Sequence, residues 1–324
     1  MSGYAHITAR CSNGKGGSWK HTPSSPPIST TSEIPMSTLL DPIVLNDWFV
    51  VSAVSKVKPG ERRFTQLLGV DIAFWRDADG SLHASDKAAC QQDGHEYKIV
   101  ERYGFVWVSL GNPQKDLYAL PEFTQSGRRF IDCGTFGVKT SGLRIIENFL
   151  DMGHFPFVHT DILGQEPHTE VREYKVETDP DTGEIWAKEC SFWQPKAAAS
   201  ATDGLHVDYT YRVMQPFSAA LYKTCPSRPG ERDVIGVYVQ PVKEDECRAT
   251  LWLLIFDDEH TDSEVIGFQQ TIFGQDRPIL ESQLPKRMPL DPRSEIPTRA
   301  DASSIAYRRW LRQIGLQYGV QQAV

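Results

Sequence analysis

Residues 147–159 read Glu-Asn-Phe-Leu-Asp-Met-Gly-His-Phe-Pro-Phe-Val-His. Asn148, Asp151, His154 and His159 stand there in the spacing N-x2-D-x2-H-x4-H, which suits a mononuclear iron centre. Just upstream, Leu143, Ile146, Phe149 and Leu150 recur at helical spacing. Five residues at about 100° each would set the two histidines roughly 140° apart on a straight helix, too far to share one ion. Pro156 lies between them, lacks an N–H and restricts Phe155, so the helix is expected to end or kink there and re-aim the chain. Asp151 precedes His154 by three residues, on the same helix face. From there its carboxylate can accept the second ring N–H of a metal-bound imidazole and fix its tautomer.

Two imidazoles hold a ferrous ion weakly, and a carboxylate would complete a facial triad with open positions for oxygen and substrate. Asp257, Asp258, Asp262, Asp276 and Glu281 all lie downstream. Spacing alone does not choose among them.

Outward from this segment the chain reads as β structure. Trp48–Val51, Phe64–Leu68, Val70–Trp75 and Tyr103–Gly111 are rich in β-branched and aromatic residues, and Asp77-Ala78-Asp79-Gly80 is a hairpin turn. Ser85–Glu96 is polar and weakly patterned. Further strands are expected over 169–177, 184–192, 207–213, 219–223, 234–240 and 249–256. Thr261-Asp262-Ser263-Glu264 is a capping box for a helix to about Gln283, with Pro278 inside it, and a last helix spans about 303–318. Residues 1–35 are rich in Ser, Thr, Gly and Pro and read as a disordered extension without function, ahead of a start-like Met36.

The chain has 324 residues, 40% hydrophobic and 23% charged, so it can bury a large core. A net charge of −8 without a Lys/Arg run disfavours nucleic acid. No run of 18 apolar residues marks a membrane span, and six cysteines without a C-x2-C pair read as reduced thiols of a cytoplasmic protein.

The segment 147–159 resembles the iron-binding signature of Rieske-type non-haem iron oxygenases, and Phe273–Gln283 resembles that family's C-terminal helix. The similarity extends over most of residues 46–290, including Leu67-Leu68-Gly69, Trp75–Gly80 and Tyr103–Trp107. It implies an α+β fold: a Rieske-like β domain over 36–135, then a helix-grip catalytic domain over 136–324 with an antiparallel sheet and C-terminal helices. It implies His154, His159 and Asp276 as metal ligands. Asn148 matches a residue near the iron. Asp151 matches the aspartate linking an iron-ligating histidine to a cluster-binding histidine of the neighbouring subunit.

One departure is large. Where the family carries Cys-x-His and Cys-x2-His between its β landmarks, this chain has Ala88-Ala89-Cys90-Gln91-Gln92 and no second site. His83, Cys90 and His95 do not reproduce a Cys2His2 set and read as structural or exposed. The deletion is similar to that of cluster-less oxygenase components that N-demethylate methylxanthines in bacterial caffeine degradation. The resemblance then implies mononuclear Fe(II), no [2Fe–2S] cluster in this chain, and a methylxanthine substrate attacked with O2 at an N-methyl group, N7 first. NADH would be used by a partner reductase carrying an extra Rieske domain, within a homo- or hetero-oligomer of oxygenase subunits. No G-x-G-x-x-G follows a strand here.

The substrate pocket is expected between the C-terminal sheet and the helix bearing Asp276. Phe192, Trp193, Tyr209, Tyr211, Phe217, Tyr222 and Phe268 are candidates for its flat walls. The competing expectation is a helix-grip protein that binds a ligand without catalysis, or a regulatory subunit that stabilises a paralogous oxygenase.

Overall fold

The computed structural model describes residues 41–86, 95–196 and 204–321. By Cα proximity the chain divides into Met1–Pro35, outside the described residues, and Met36–Val324. After a one-turn helix α1 (Pro42–Leu45), the first third forms two antiparallel sheets of three strands. One joins β1 (Phe49–Ala53), β6 (Phe105–Ser109) and β5 (Lys98–Arg102). The other joins β2 (Arg63–Leu67), β3 (Val70–Arg76) and β4 (Leu82–Asp86). The Asp77–Gly80 turn connects β3 to β4 as the sequence predicts.

A seven-stranded antiparallel sheet dominates the rest. In space it runs β7 (Arg129–Val138), β13 (Glu246–Ile255), β12 (Arg232–Lys243), β11 (Ser218–Thr224), β10 (Leu205–Gln215), β9 (Ile185–Gln194), β8 (Lys175–Thr178). The meander from β8 to β13 matches the expected run of strands, though β8 begins only at Lys175, not Thr169. Three strands are not named in the sequence reading, β4, β5 and β7, although the Asp77–Gly80 turn implies the first. The expected boundary at 135/136 falls inside β7, so a paired strand, not a linker, joins the two halves.

Period-two alternation gives this sheet two working faces. Along β12, Val234 and Tyr238 join Trp107, Trp252 and Phe105 in the core beneath the β1–β6–β5 sheet, where Trp107 and Tyr238 meet at 4.7 Å between ring centroids. Gly236 belongs to the same face because Trp252 lies flat over it; a β-carbon there would sit 2.0 Å from the indole. Val237 and Val239, one residue out of phase, face the helices.

Helix α2 (Gly142–Leu150) is capped by the Ser141 hydroxyl, which accepts the Leu143 N–H, and buries Leu143, Ile145, Ile146 and Leu150. Its first residue is glycine because the helix lies directly on the sheet: a β-carbon at Gly142 would come within 2.8 Å of Val239. Contrary to expectation, Pro156 does not end this helix. α2 stops at Leu150, and Pro156 sits in the first turn of a separate four-residue helix α3 (Phe155–Val158), where a missing N–H costs nothing. Helix α4 (Asp262–Ser282) carries the predicted capping box between Thr261 and Glu264, continues through Pro278, and is tied to β7 by Gln270, which donates to the Cys133 carbonyl at 2.8 Å. Helix α5 (Ala302–Ile314) covers the far side of α2.

The base of α2 is held by charge. Arg144 is 3% exposed and donates to Glu147 at 2.8 Å, to Glu295 at 2.7 Å and to the Pro285 carbonyl at 3.1 Å. Arg308 on α5 pairs with the same two glutamates. A buried network of this kind is costly to break because it leaves charge without a partner. We expect Arg144→Leu to destabilise the protein by about 3 kcal/mol, read as a lowered urea midpoint, with α2 affected first.

Candidate metal centre

The break between α2 and α3 delivers both histidines to one point. Asp151 is the C-cap of α2, in extended backbone; His154 precedes α3 and His159 follows it. A separate single turn of helix, set off from α2, does what one straight helix could not. Asp276, six residues before the end of α4, projects between them and is buried.

The three donor atoms converge. His154 Nε2 and His159 Nε2 are 3.1 Å apart, and Asp276 Oδ1 lies 3.4 Å from the first and 3.1 Å from the second. Ligands cis to one another at about 2.1 Å from one ion stand about 3 Å apart, so these separations fit a shared metal. Asp276 Oδ1 is buried without a hydrogen-bond partner. A carboxylate oxygen in that position calls for a cation.

The outer nitrogens are also fixed. His154 Nδ1 is 3.0 Å from Asp151 Oδ2, while Asp151 Oδ1 accepts the Gly153 N–H at 2.7 Å. His159 Nδ1 is 2.9 Å from Gln275 Oε1. With each Nδ1 proton given to an oxygen, both neutral rings keep their Nε2 lone pair for the shared point. Burial disfavours charge on His154, but the Asp151 and Asp276 carboxylates outweigh it and push its pKa up to about 9. Burial likewise opposes charge on Asp276, and the two imidazoles outweigh it and hold the carboxyl at about 2. Metal binding at this point therefore displaces a proton.

The other downstream carboxylates lie elsewhere. Asp257 caps the turn before α4 by accepting the Glu259 and His260 N–H groups, Asp258 pairs with Arg228, Asp262 opens α4, and Glu281 pairs with Arg277. Among the described residues His154, His159 and Asp276 are the cluster of His, Cys, Asp or Glu able to hold an ion. His83 stacks on Trp75 and His95 packs edge-on to Tyr97; Cys90 lies outside the described residues.

Beside the triad opens a cleft of about 740 Å³, its mouth included, between α4 and the helix-facing side of the sheet. Of the aromatics expected to line it, Tyr209, Tyr211 and Phe268 do. Phe192, Trp193, Phe217 and Tyr222 do not, and Phe149, Phe155 and Phe273 take their place. Asn148 lines this cleft and also a second, larger cavity on the other side of α2, where Asp151 lies. Two features escaped the sequence reading. Gln275 neighbours Asp276 but points about 100° away on the helix, and only the placement of His159 gives it a partner. Lys223 enters the cleft wall from β11 through strand alternation alone.

The family of the vanillate O-demethylase oxygenase C-terminal domain matches residues 138–317. A probable methylxanthine N7-demethylase, NdmC, of Pseudomonas sp. (strain TJI-51) is 46% identical over 278 residues, covering 85% of this chain and 96% of that one. The methylxanthine N3-demethylase NdmB of Pseudomonas putida is 27% identical, over 66% of this chain and 59% of its own. Among solved structures, NdmA of Pseudomonas putida CBB5 with caffeine aligns with a TM-score of 0.70 at 19% identity, over 84% of this chain and 91% of that one. With a catalytic-domain match over more than half its length and a relative of this identity, the chain belongs to the Rieske-type oxygenase family.

Proposed function

We propose that this chain is the oxygenase component of a methylxanthine N-demethylase, acting on the N7-methyl group and dependent on a partner for electrons. The observation that carries this reading is the buried two-histidine, one-carboxylate cluster at the end of an aromatic cleft. The relative at 46% identity, described as a probable methylxanthine N7-demethylase, supports the substrate and the position.

The residues present suit iron, which when bound at His154, His159 and Asp276 supplies the site where O2 is reduced next to the substrate. The net change inserts one oxygen atom into an N-methyl C–H bond. Two electrons and two protons reduce the second oxygen to water, and the resulting carbinolamine releases formaldehyde and the N–H purine. The chain's own residues set the conditions for this. Asp151 and Gln275 hold the two imidazoles in one tautomer. Tyr209, Tyr211, Phe155 and Phe268 offer flat apolar walls for a purine and exclude water from it.

Electrons have to enter from outside this cleft. The second cavity reaches Asp151 from the opposite side of α2, and its rim carries Leu284 and Ile296, 83% and 96% exposed, beside exposed Arg309 and Arg312. Apolar side chains flanked by arginines suit a transient protein partner with an acidic face. We assign this surface to a reductase bearing a Rieske domain and using NADH. Four buried unpaired cysteines among the described residues suit a reducing cytoplasm.

With the reductase and NADH, 7-methylxanthine should yield stoichiometric formaldehyde, and His154→Ala should yield none; formaldehyde from the variant would sink the reading. Asp151→Asn should cut turnover about 10- to 100-fold while the cleft still binds substrate, measured as separate kcat and KM values. Arg309→Glu with Arg312→Glu should raise the apparent KM for reductase about tenfold, with a weaker salt dependence and unchanged affinity for the purine.

A further inference from the structure

The cleft beside the triad does not end in solid core. At the end remote from Asp276 it adjoins a smaller chamber of about 490 Å³, its mouth included, in the same layer between α4 and the sheet. Helix α4 runs past both. Asp276, Phe273 and Ile272 line the cleft alone, Gln269 and Phe268 line both spaces, and Val265 lines the chamber alone. These positions recur in steps of three and four residues, so they share one face of the helix. Seven residues separate Gln269 from Asp276, about 10 Å along the axis.

Where the two spaces meet, four side chains form a collar. Lys223 and Ile235 come from β11 and β12, Phe268 and Gln269 from α4. The sheet half of the collar is fixed: Ile235 packs against the main core, and Lys223 is buried and stands in register opposite Asp233. The helix half is not. Among the described residues Phe268 is half-buried and joins neither hydrophobic core, and its ring faces the exposed Lys196, whose ammonium lies 5.7 Å from the centroid. Phe268 therefore fills the collar without supporting the fold.

A purine with its N7-methyl group at the triad reaches most of the distance to the collar with its opposite edge, C2 and N3. A substituent at N3 then points at Phe268. Beyond the collar, Leu253, Ile255, Ile235 and Val265 give the chamber an aliphatic lining that suits an alkyl chain. The chamber's carboxylates are engaged by backbone: Asp233 accepts the Phe256 N–H, and Asp257 accepts those of Glu259 and His260.

We propose that Phe268 is a specificity-determining residue that closes the passage from the cleft to the chamber. The ligand class is then a planar bicycle that ends at the collar, and a purine with an alkyl chain at N3 is discriminated against. The discrimination has a physical source: the chain must push the ring out of its rotamer or clash with it. This inference rests on the methylxanthine reading above, and its test separates the two.

The test is calorimetric binding of 7-methylxanthine and 7-methyl-3-propylxanthine to the full-length metal-loaded protein under anaerobic conditions. Wild type should bind the propyl compound about tenfold or more weakly. Phe268→Ala joins the two spaces and should cut that penalty to about threefold or less, with Phe268→Leu in between. Ile272→Ala enlarges the cleft on the metal side of the collar and should leave the penalty in place. Should Phe268→Ala fail to fold, Phe268→Leu carries the comparison. Wild type that binds the two compounds alike overturns the role of Phe268. So does a penalty that survives in the folded variant, a variant that binds neither compound, or an equal loss of the penalty in Ile272→Ala. Wild type that binds neither ligand overturns the methylxanthine reading itself.

Discussion

A carboxylate oxygen buried against two imidazole nitrogens, without a hydrogen bond of its own, is the interaction on which this molecule turns. Asp276 is held by the long helix, His154 and His159 by the broken segment after α2, and the three donors meet within 3.4 Å. Without a cation the cluster must take up a proton, which is why His154 is pushed up to about 9 and Asp276 down to about 2. A metal ion relieves the same requirement with higher charge and the same donors. The surrounding structure keeps the donors from relaxing apart. Arg144 and Arg308 anchor α2, Gln270 ties α4 to the sheet, and Asp151 and Gln275 stop the rings from turning.

The same junction divides two environments. Asn148 lines the apolar cleft on one side of α2 and the charged outer cavity on the other, with Asp151 on the outer side. In the proposed function, substrate and electron donor would approach the metal site from different directions without competing for space. Under the proposed function that separation is required, since the electron donor would be a whole protein domain and the substrate a small flat ring.

Much of this was legible in the sequence where local chemistry repeats at fixed spacing. The N-x2-D-x2-H-x4-H segment gave four of the site residues their relation, and the Thr261–Glu264 capping box placed the start of α4 within a residue. The carboxylate of the cluster was different: five candidates were equivalent by spacing, and only family resemblance singled out Asp276, which the fold brings to the histidines. Pro156 was misjudged because a proline reads equally as the end of one helix or the first turn of the next, and tertiary packing decides. β7 was missed because Arg129-Phe130-Ile131-Asp132-Cys133-Gly134 alternates weakly and is stabilised by pairing with β13, far away in sequence. Gln275 and Lys223 were invisible for the same reason, since each takes its role from an element distant in the chain.

The most direct measurement is metal and acid-labile sulfide content of anaerobically purified protein. The account predicts about one iron per chain with no labile sulfide, and an iron site that disappears in Asp276→Ala. Protein that takes up no iron even after anaerobic reconstitution would contradict it.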